Sequence, residues 1–151
     1  MPLVFFMFLF FSASSQAHNQ QERVPLELEN PQTAIHVALK PERVIDGDTF
    51  VASGVKIRLW GVDAPEKNET LYAVSSKALK HFLNGASLAC KFITRDRYER
   101  DVMHCLVNGA DLGALMVKSG FAKDYRKYSQ GFYQSEEDFA LEAGLCIWKA
   151  P

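Results

Sequence analysis

The stretch Val44–Glu66, VIDGDTFVASGVKIRLWGVDAPE, decides the fold because it contains two strand-like runs joined by a turn pair. Val, Ile, Leu, Phe and Thr alternate with other residues through both runs, which is the pattern of a half-buried β-strand. Ser53-Gly54 lies between the runs and is a tight-turn signal. The stretch therefore predicts a β-hairpin made of Val44–Ala52 and Val55–Val62.

The same stretch carries charged side chains, which a packed sheet accommodates only when they are paired, hydrogen-bonded or bound to a metal. These residues are Asp46, Asp48, Arg58, Asp63 and Glu66. Carboxylate oxygens suit a hard cation such as Ca²⁺, and a guanidinium suits a phosphate. This combination predicts phosphodiester hydrolysis, with one carboxylate activating the attacking water. An Asp- and Gly-rich turn with a surface Arg–Glu pair is the alternative that these residues leave open.

The pattern on either side of the hairpin predicts a small β-barrel with helices packed on it. Further strands are expected from about Ala34, at Leu88–Thr94 and at Val102–Val107, which gives five in all. Apolar residues at helical spacing predict three helices, at Leu71–Gly85, Leu112–Lys118 and Ser135–Gly144. Val74 is expected on the apolar stripe of the first, and Ser135 as the N-cap of the last. The predicted fold class is α+β, mainly β, and an oligonucleotide-binding (OB) fold barrel is the natural candidate.

Composition divides the 151 residues into three segments. Residues 1–17, MPLVFFMFLFFSASSQA, are uncharged and end in a small-x-small signal, so they are expected to be a secretory signal peptide. The apolar run is about half of the ~20 residues that span a bilayer, and an uncleaved anchor or a plain extension is the alternative. Residues 18–33 are expected to be a flexible arm, and residues 34–151 the barrel domain. We therefore expect a secreted or periplasmic protein without stable membrane association after cleavage.

Three motifs, VIDGDT, IRLWGVDAPE and DRYER, occur in an order and spacing that resemble the staphylococcal (micrococcal) nuclease-like, or thermonuclease, family. The resemblance runs from about Pro41 to Trp148. It implies a Ca²⁺-dependent nuclease on an OB-fold, with single-stranded or frayed DNA and RNA as substrate; a monomer is expected. The net charge of −1 excludes a simple polycation that binds nucleic acid through bulk charge. A catalytically weak or inactive nucleic-acid-binding module is the alternative.

The resemblance implies a metal site built from the acidic residues of the opening stretch. Asp48 and Asp63 would ligate Ca²⁺ through their side chains, and Ala64 through its carbonyl oxygen. Asp46 would be a carboxylate behind these ligands. Glu66 would be the general base that accepts a proton from the attacking water.

The resemblance also implies which residues would hold the nucleic acid. Arg58 and Arg100 would clamp the scissile phosphate in the transition state. Tyr98, Tyr125 and Tyr128 would contact the nucleotide.

Two positions depart from the family pattern. Ala64 stands where the family usually has Thr, which removes a hydroxyl but leaves the carbonyl ligand. Glu99 stands where a Gly usually precedes Arg100. If the Gly supplies a positive φ, Glu99 adopts it only at a cost, and its carboxylate could pair with Arg100 and hold it away from phosphate.

Cys90 and Cys105 fall on facing strands of a predicted antiparallel pair, either as a disulfide or as two buried free thiols. A disulfide here would close a loop of about fifteen residues, which is worth roughly 3 kcal/mol. Exported members of the family often carry such a pair, so the resemblance favours the disulfide. Cys146 is expected to be a buried, unpaired residue.

Overall fold

The computed structural model describes residues 36–148, except the side chain of Trp148. The expected signal peptide (residues 1–17), the expected arm (residues 18–33) and the start of the first strand lie outside the described residues. Within them, no helix combines the length and the apolar composition needed to cross a bilayer.

Most strands of the described chain belong to one mixed sheet. They are β1 (Val37–Leu39), β2 (Pro41–Val44), β3 (Thr49–Ala52), β4 (Val55–Leu59), β6 (Leu88–Arg95), β7 (Asp101–Val107) and β8 (Ala110–Asp111), with β5 (Val62–Asp63) and β9 (Lys123–Asp124) forming a second small sheet. The main sheet has the order β1-β6-β7-β4-β3-β2, and β8 pairs with β7. Strands β4 and β7 run parallel, which brings the DRYER segment beside the IRLWG segment.

Helices pack on this half-barrel. They are α1 (Tyr72–Leu83), α2 (Leu112–Lys118), α3 (Arg126–Ser129), α4 (Gln134–Glu142) and a 3₁₀ turn at Cys146–Trp148. The core between sheet and helices contains side chains that are almost fully buried: Phe50, Ile57, Leu59, Leu79, Leu112, Met116 and Val117. Burial of each such side chain stabilises the fold by about 1.5–3 kcal/mol. The predicted fold class, an α+β and mainly β structure of the OB type, is confirmed.

The predicted hairpin is present, but its first arm is interrupted. Strands β3 and β4 pair from Thr49↔Arg58 to Ala52↔Val55, around the turn at Ser53-Gly54. The single predicted strand Val44–Ala52 is wrong, because the Ile45 and Asp46 N–H groups both donate to the Thr49 carbonyl, at 2.9 and 3.1 Å. These bonds make residues 45–48 a turn between β2 and β3. Strand β5 splits off the predicted second arm in the same way, and the two-residue strands β8 and β9 lie where no strand was predicted, so nine strands replace the predicted five within residues 36–148.

Gly47 is required at this turn because α1 packs directly against it. A Cβ atom at this position would overlap the Ser75 hydroxyl oxygen. Any larger residue would push the turn away from α1, and with it the neighbouring aspartates.

Two helix predictions need correction. Ser135 is not the N-cap of the last helix: α4 begins at Gln134, and the Ser135 hydroxyl donates to Glu136. Val74, predicted on the buried stripe of α1, is 43% exposed, while Ser75, Leu79 and Leu83 form the buried face. The short helix α3 lacks an apolar stripe long enough to predict it.

Cys90 and Cys105 are paired in register between β6 and β7 and are joined by a disulfide. The structure therefore contains the bond that the family resemblance favours. Cys146 is a free cysteine and is half-buried rather than fully buried.

Candidate active site

Asp48 is the buried centre of the acidic cluster, with 6% of its surface exposed. Its carboxylate accepts hydrogen bonds from the Thr49 hydroxyl at 2.9 Å and the Ala64 N–H at 3.1 Å, and it pairs with Arg58 Nη2 at 3.2 Å. Burial nevertheless raises the pKa of Asp48 to about 6; Arg58 opposes this shift and the nearby charge of Asp46 adds to it. The carboxylate thus sits where further positive charge would favour its ionised form.

Arg58 is held in a fixed orientation. Its Nη1 donates to the carbonyl oxygens of Leu59 and Val62, both at 2.8 Å. Its Nη2 lies 3.2 Å from an Asp48 oxygen and 3.9 Å from an Asp63 oxygen. Two carboxylates therefore flank a single cationic nitrogen at the end of β4.

Arg100 is anchored by Asp96, four residues earlier in the β6–β7 turn. The Arg100 Nε donates to Asp96 Oδ2 at 2.7 Å, and the N–H groups of Tyr98 and Arg100 donate to Asp96 Oδ1 at 2.9 and 3.0 Å. Desolvation raises the pKa of Asp96, but the hydrogen bonds from Arg100 outweigh it and lower the pKa. Asp96 is therefore a charged anchor for the arginine.

Thr49 connects the two arginines. Its hydroxyl oxygen accepts from Arg100 Nη1 at 3.1 Å and donates to Asp48 Oδ1, whose other oxygen faces Arg58. Arg58, Asp48, Thr49 and Arg100 thus form one continuous polar chain. Both guanidinium groups lie beside the acidic cluster, as the hydrolysis hypothesis requires.

Asp46 and Glu66 occupy the edges of this arrangement. Asp46 Oδ1 accepts the N–H of Asp48 at 3.2 Å, so Asp46 lies directly behind the cluster. Glu66 is exposed; its N–H donates to Glu69 Oε2 at 2.7 Å. Glu69, together with Asp63, lines an adjacent cleft of about 270 Å³. Within residues 36–148, the Glu66 carboxylate makes no hydrogen bond or ion pair, so the structure does not bring it into contact with the arginines.

A family model described as "Staphylococcal nuclease homologue" matches residues 56–150, more than half of the chain. The chain belongs to the staphylococcal nuclease homologue family. The matched segment contains Arg58, Asp63 and Arg100, while Asp48 lies just before it.

Several curated proteins are similar in sequence. "Succinoglycan biosynthesis protein ExoI" of Rhizobium meliloti (strain 1021) is 34% identical over 119 residues, which cover 71% of this chain and 62% of the relative. An "Uncharacterized endonuclease" of Haemophilus influenzae is 28% identical over 112 residues, covering 70% and 63%. The "Probable staphylococcal-like nuclease CAN1" of Oryza sativa subsp. japonica is 33% identical over 84 residues, covering 56% and 25%. The chain thus spans less than two thirds of each of these relatives.

The three tyrosines expected to contact the nucleotide form two separate groups in this nuclease homologue. Tyr98 is 61% exposed, and the guanidinium groups of Arg97 and Arg100 lie 4.8 and 5.4 Å from its ring centroid. Tyr125 and Tyr128 contact each other edge to face, with ring centroids 4.8 Å apart. Of these three residues, Tyr98 is the one whose ring contacts an arginine of the polar chain; Tyr125 is the N-cap of α3 and Tyr128 lies within α3.

Glu99 has a backbone conformation that a residue with a side chain adopts only at a cost. Its φ is 59°, in the left-handed region that favours glycine. The expected pairing of Glu99 with Arg100 is not found among the described residues, because Arg100 pairs with Asp96 instead. The backbone cost of Glu99 remains, but the carboxylate does not restrain the arginine.

Thr49 and Asp96 are the members of the site that the sequence analysis missed. Both lie inside the quoted motifs, as the last residue of VIDGDT and the first of DRYER. Asp96 could have been found, because an arginine in a tight turn needs an acceptor and Asp often accepts backbone N–H groups there. Thr49 carries no comparable signal, since its bond to Arg100 spans 51 residues.

Proposed function

We propose that the chain is an exported, Ca²⁺-dependent nuclease that hydrolyses phosphodiester bonds of DNA and RNA. The observation that carries the proposal is the polar chain Arg58–Asp48–Thr49–Arg100, with links of 3.2, 2.9 and 3.1 Å. Two guanidinium groups fixed beside one acidic cluster suit a phosphate whose negative charge grows in the transition state.

The acidic residues fit a hard divalent cation. Asp48 and Asp63 already share one cationic neighbour, Arg58 Nη2, at 3.2 and 3.9 Å. Their oxygens, with the carbonyl of Ala64, are the ligand type that Ca²⁺ prefers. When bound, Ca²⁺ would supply positive charge to the phosphoryl oxygens.

Each remaining residue has a defined task in this proposal. Arg58 and Arg100 orient the phosphate and neutralise its charge, and Asp96 and Thr49 hold Arg100 in place. Glu66 takes the proton of the attacking water. It lies on an exposed segment, where its own N–H donates a hydrogen bond to the Glu69 carboxylate. Tyr98, Tyr125 and Tyr128 provide faces on which bases of a single strand can stack.

The first experiment mixes purified protein with heat-denatured DNA, or with RNA, in Ca²⁺ or in a chelator that removes it. We expect acid-soluble nucleotides to appear only with Ca²⁺. Binding of a single-stranded oligonucleotide without degradation would instead indicate the catalytically weak or inactive binding module. Fractionation of producing cells and N-terminal sequencing test export, with a mature end expected near His18.

The second experiment separates Glu66 from its neighbour Glu69. Glu66→Gln should lower kcat about 10²–10⁴-fold, the usual contribution of a general base, while the Kd for an uncleaved oligonucleotide stays the same. Glu69→Gln keeps the carboxylate of Glu66 and should have a much smaller effect on kcat. A large loss in Glu69→Gln alone would move the base role to Glu69. Equal losses of kcat and affinity in Glu66→Gln would contradict a role in proton transfer.

A further inference from the structure

Two histidine rings meet on the face of the main sheet opposite to the disulfide, because His104 and Cys105 are consecutive residues of β7. His36 immediately precedes β1, and His104 lies on β7, with Lys91 of β6 as its register partner. The His36 Nε2 and His104 Nδ1 atoms are 3.3 Å apart. None of the residues proposed for nucleic-acid hydrolysis takes part in this contact.

A hydrogen bond at the other ring nitrogen of His104 sets the tautomer of the neutral ring. His104 Nε2 lies 2.8 Å from Asp111 Oδ2, and a carboxylate can only accept there, so Nε2 carries a proton and, in the neutral imidazole, Nδ1 carries the lone pair. Asp111 is itself held by the Tyr133 hydroxyl at 3.1 and 3.2 Å and by the Ala114 N–H at 3.1 Å. A carboxylate that orients an imidazole in this way is the usual partner of a metal-binding histidine.

We propose that His36 Nε2 and His104 Nδ1 form a half-site for a transition-metal dication such as Zn²⁺. A tetrahedral ion at about 2.0–2.1 Å from each ligand holds two nitrogens roughly 3.4 Å apart. The observed separation is 3.3 Å, whereas a hydrogen bond from a ring N–H has its commonest length at about 2.9–3.0 Å. Imidazole nitrogens favour Zn²⁺, Cu²⁺ and Ni²⁺ over Ca²⁺, so this site differs in chemistry from the Asp48 cluster.

The surroundings set the expected strength of this site. His104 is 8% exposed and contacts the edges of Trp60 and Phe132, while His36 is only half-buried, which leaves room for water to complete the coordination. Residues 36–148 contain no cluster of three or more His, Cys, Asp or Glu that could hold a metal. Asp111 supplies a negative charge, and Lys91 a positive one that opposes binding. We therefore expect weaker binding than at closed four-ligand zinc sites.

The test is a calorimetric titration of Zn²⁺ into the full chain, made without a polyhistidine tag and kept in excess Ca²⁺. We expect one Zn²⁺ per chain, and binding weakened about 10-fold or more in His36→Gln. Asp111→Asn keeps both ligands but should weaken binding by about 10–100-fold, because the imidazole loses its charged partner. His81→Gln, which removes an exposed histidine of α1, is the matched control and should bind as the unchanged protein does.

Electron paramagnetic resonance of bound Cu²⁺ gives a readout that depends on the ligands alone. Splitting from two imidazole nitrogens is expected in the unchanged chain and from fewer in His36→Gln. The half-buried position of His36 at the edge of the sheet makes this variant the decisive one, since replacement of the buried His104 also disturbs packing. Equal Zn²⁺ affinity in the unchanged chain and in His36→Gln, or no binding, would overturn the proposal. The result does not depend on nuclease activity.

Discussion

Asp48 and Asp111 are two largely buried aspartates that receive similar hydrogen bonds, but their pKa values shift in opposite directions. Asp48 accepts from a hydroxyl and a backbone N–H and pairs with Arg58; Asp111 accepts from a hydroxyl, a backbone N–H and His104. Burial raises the pKa of Asp48 to about 6, with help from the charge of Asp46. Burial acts in the same direction on Asp111, but its hydrogen bonds, first of all the one from His104, outweigh burial and lower the pKa.

The difference lies in how well the surroundings of each aspartate compensate its negative charge. Around Asp111 the protein provides enough donors for the charge, and burial together with the Asp111 charge raises the pKa of Tyr133 well above its usual value, so its hydroxyl stays protonated. Around Asp48 the protein leaves the charge incompletely compensated. The Ca²⁺ proposed above would supply the missing positive charge at Asp48, whereas Asp111 holds β8, α2 and α4 together and orients His104.

The largest effect expected from this contrast is on activity. Asp48→Asn should lower kcat about 10²–10³-fold, the size usual for losing one preorganised charge or donor at a transition state. The free energy of unfolding of the Ca²⁺-free protein should be unchanged or higher, because a poorly compensated buried charge has been removed. Steady-state kinetics and urea unfolding in chelator measure the two quantities. A large loss of stability would place Asp48 with Asp111 and break the contrast.

Asp111→Asn should give the opposite pattern. Its unfolding free energy at pH 7 should fall by about 2 kcal/mol, since hydrogen bonds to a charged group are worth about 1.5–3 kcal/mol, while kcat stays near that of the unchanged chain. Urea unfolding and kinetics measure both effects, and Asp138→Asn on the exposed face of α4 is the control for removal of one negative charge. A fall in kcat as large as that of Asp48→Asn would show that Asp111 is not merely structural.

The pH dependence gives this prediction a sign. The folded-state pKa of Asp111 lies below its unfolded value of about 3.9, so its stabilisation is complete above that value and is lost as pH falls through the lowered folded pKa. The unchanged protein and Asp111→Asn should therefore differ at pH 7 and converge in acid below about pH 4. A difference that persists at low pH would assign the stabilisation to packing rather than to charge.

Much of the fold could be predicted because its signals are local. Alternation with period two and the Ser53-Gly54 pair indicate β3 and β4, and apolar spacing indicates α1 and α2. The turn at residues 45–48 could not be predicted in this way, because Val44, Asp46 and Asp48 keep the alternation of a strand. What breaks the strand is the turn of backbone N–H groups onto the Thr49 carbonyl, with Gly47 packed against Ser75.

The site also has a part that local sequence predicts and a part that depends on the fold. Asp48, Arg58, Asp63 and Arg100 stand in short motifs whose chemistry can be read directly. Their contacts depend on the parallel pairing of β4 with β7, which no local pattern encodes. The Thr49–Arg100 bond and the position of Glu66 outside the contact network follow from that pairing and from the loop after β5, so they required coordinates.

A smaller effect is expected at Thr49, the link between the incompletely compensated carboxylate and Arg100. Thr49→Val removes the hydroxyl from a fully buried position and leaves Asp48 Oδ1 without its donor and Arg100 Nη1 without an acceptor. We expect kcat to fall about 10-fold and the unfolding free energy by about 1–2 kcal/mol. Thr49→Ser retains the hydroxyl and should recover most of kcat. Equal activity of the Val and Ser variants would show that the link does not position Arg100.

The smallest effect is expected at Glu99, in the turn that Asp96 anchors. Asp96 resembles Asp111: its pKa is lowered although burial opposes the shift, because Arg100 donates to it. Because Asp96 and Thr49 together hold Arg100, the neighbouring Glu99 contributes only a backbone cost, which for a left-handed residue is about 1–2 kcal/mol. Glu99→Gly should therefore raise the unfolding free energy by about 1 kcal/mol, less the entropy that glycine loses on folding, with kcat nearly unchanged. Glu99→Gln keeps the backbone cost and removes the charge, so it should alter neither quantity. A rise of kcat in both variants would mean that the negative charge of Glu99 acts on the bound phosphate through space. The turn would then belong to the active site and would not merely hold Arg100 in place.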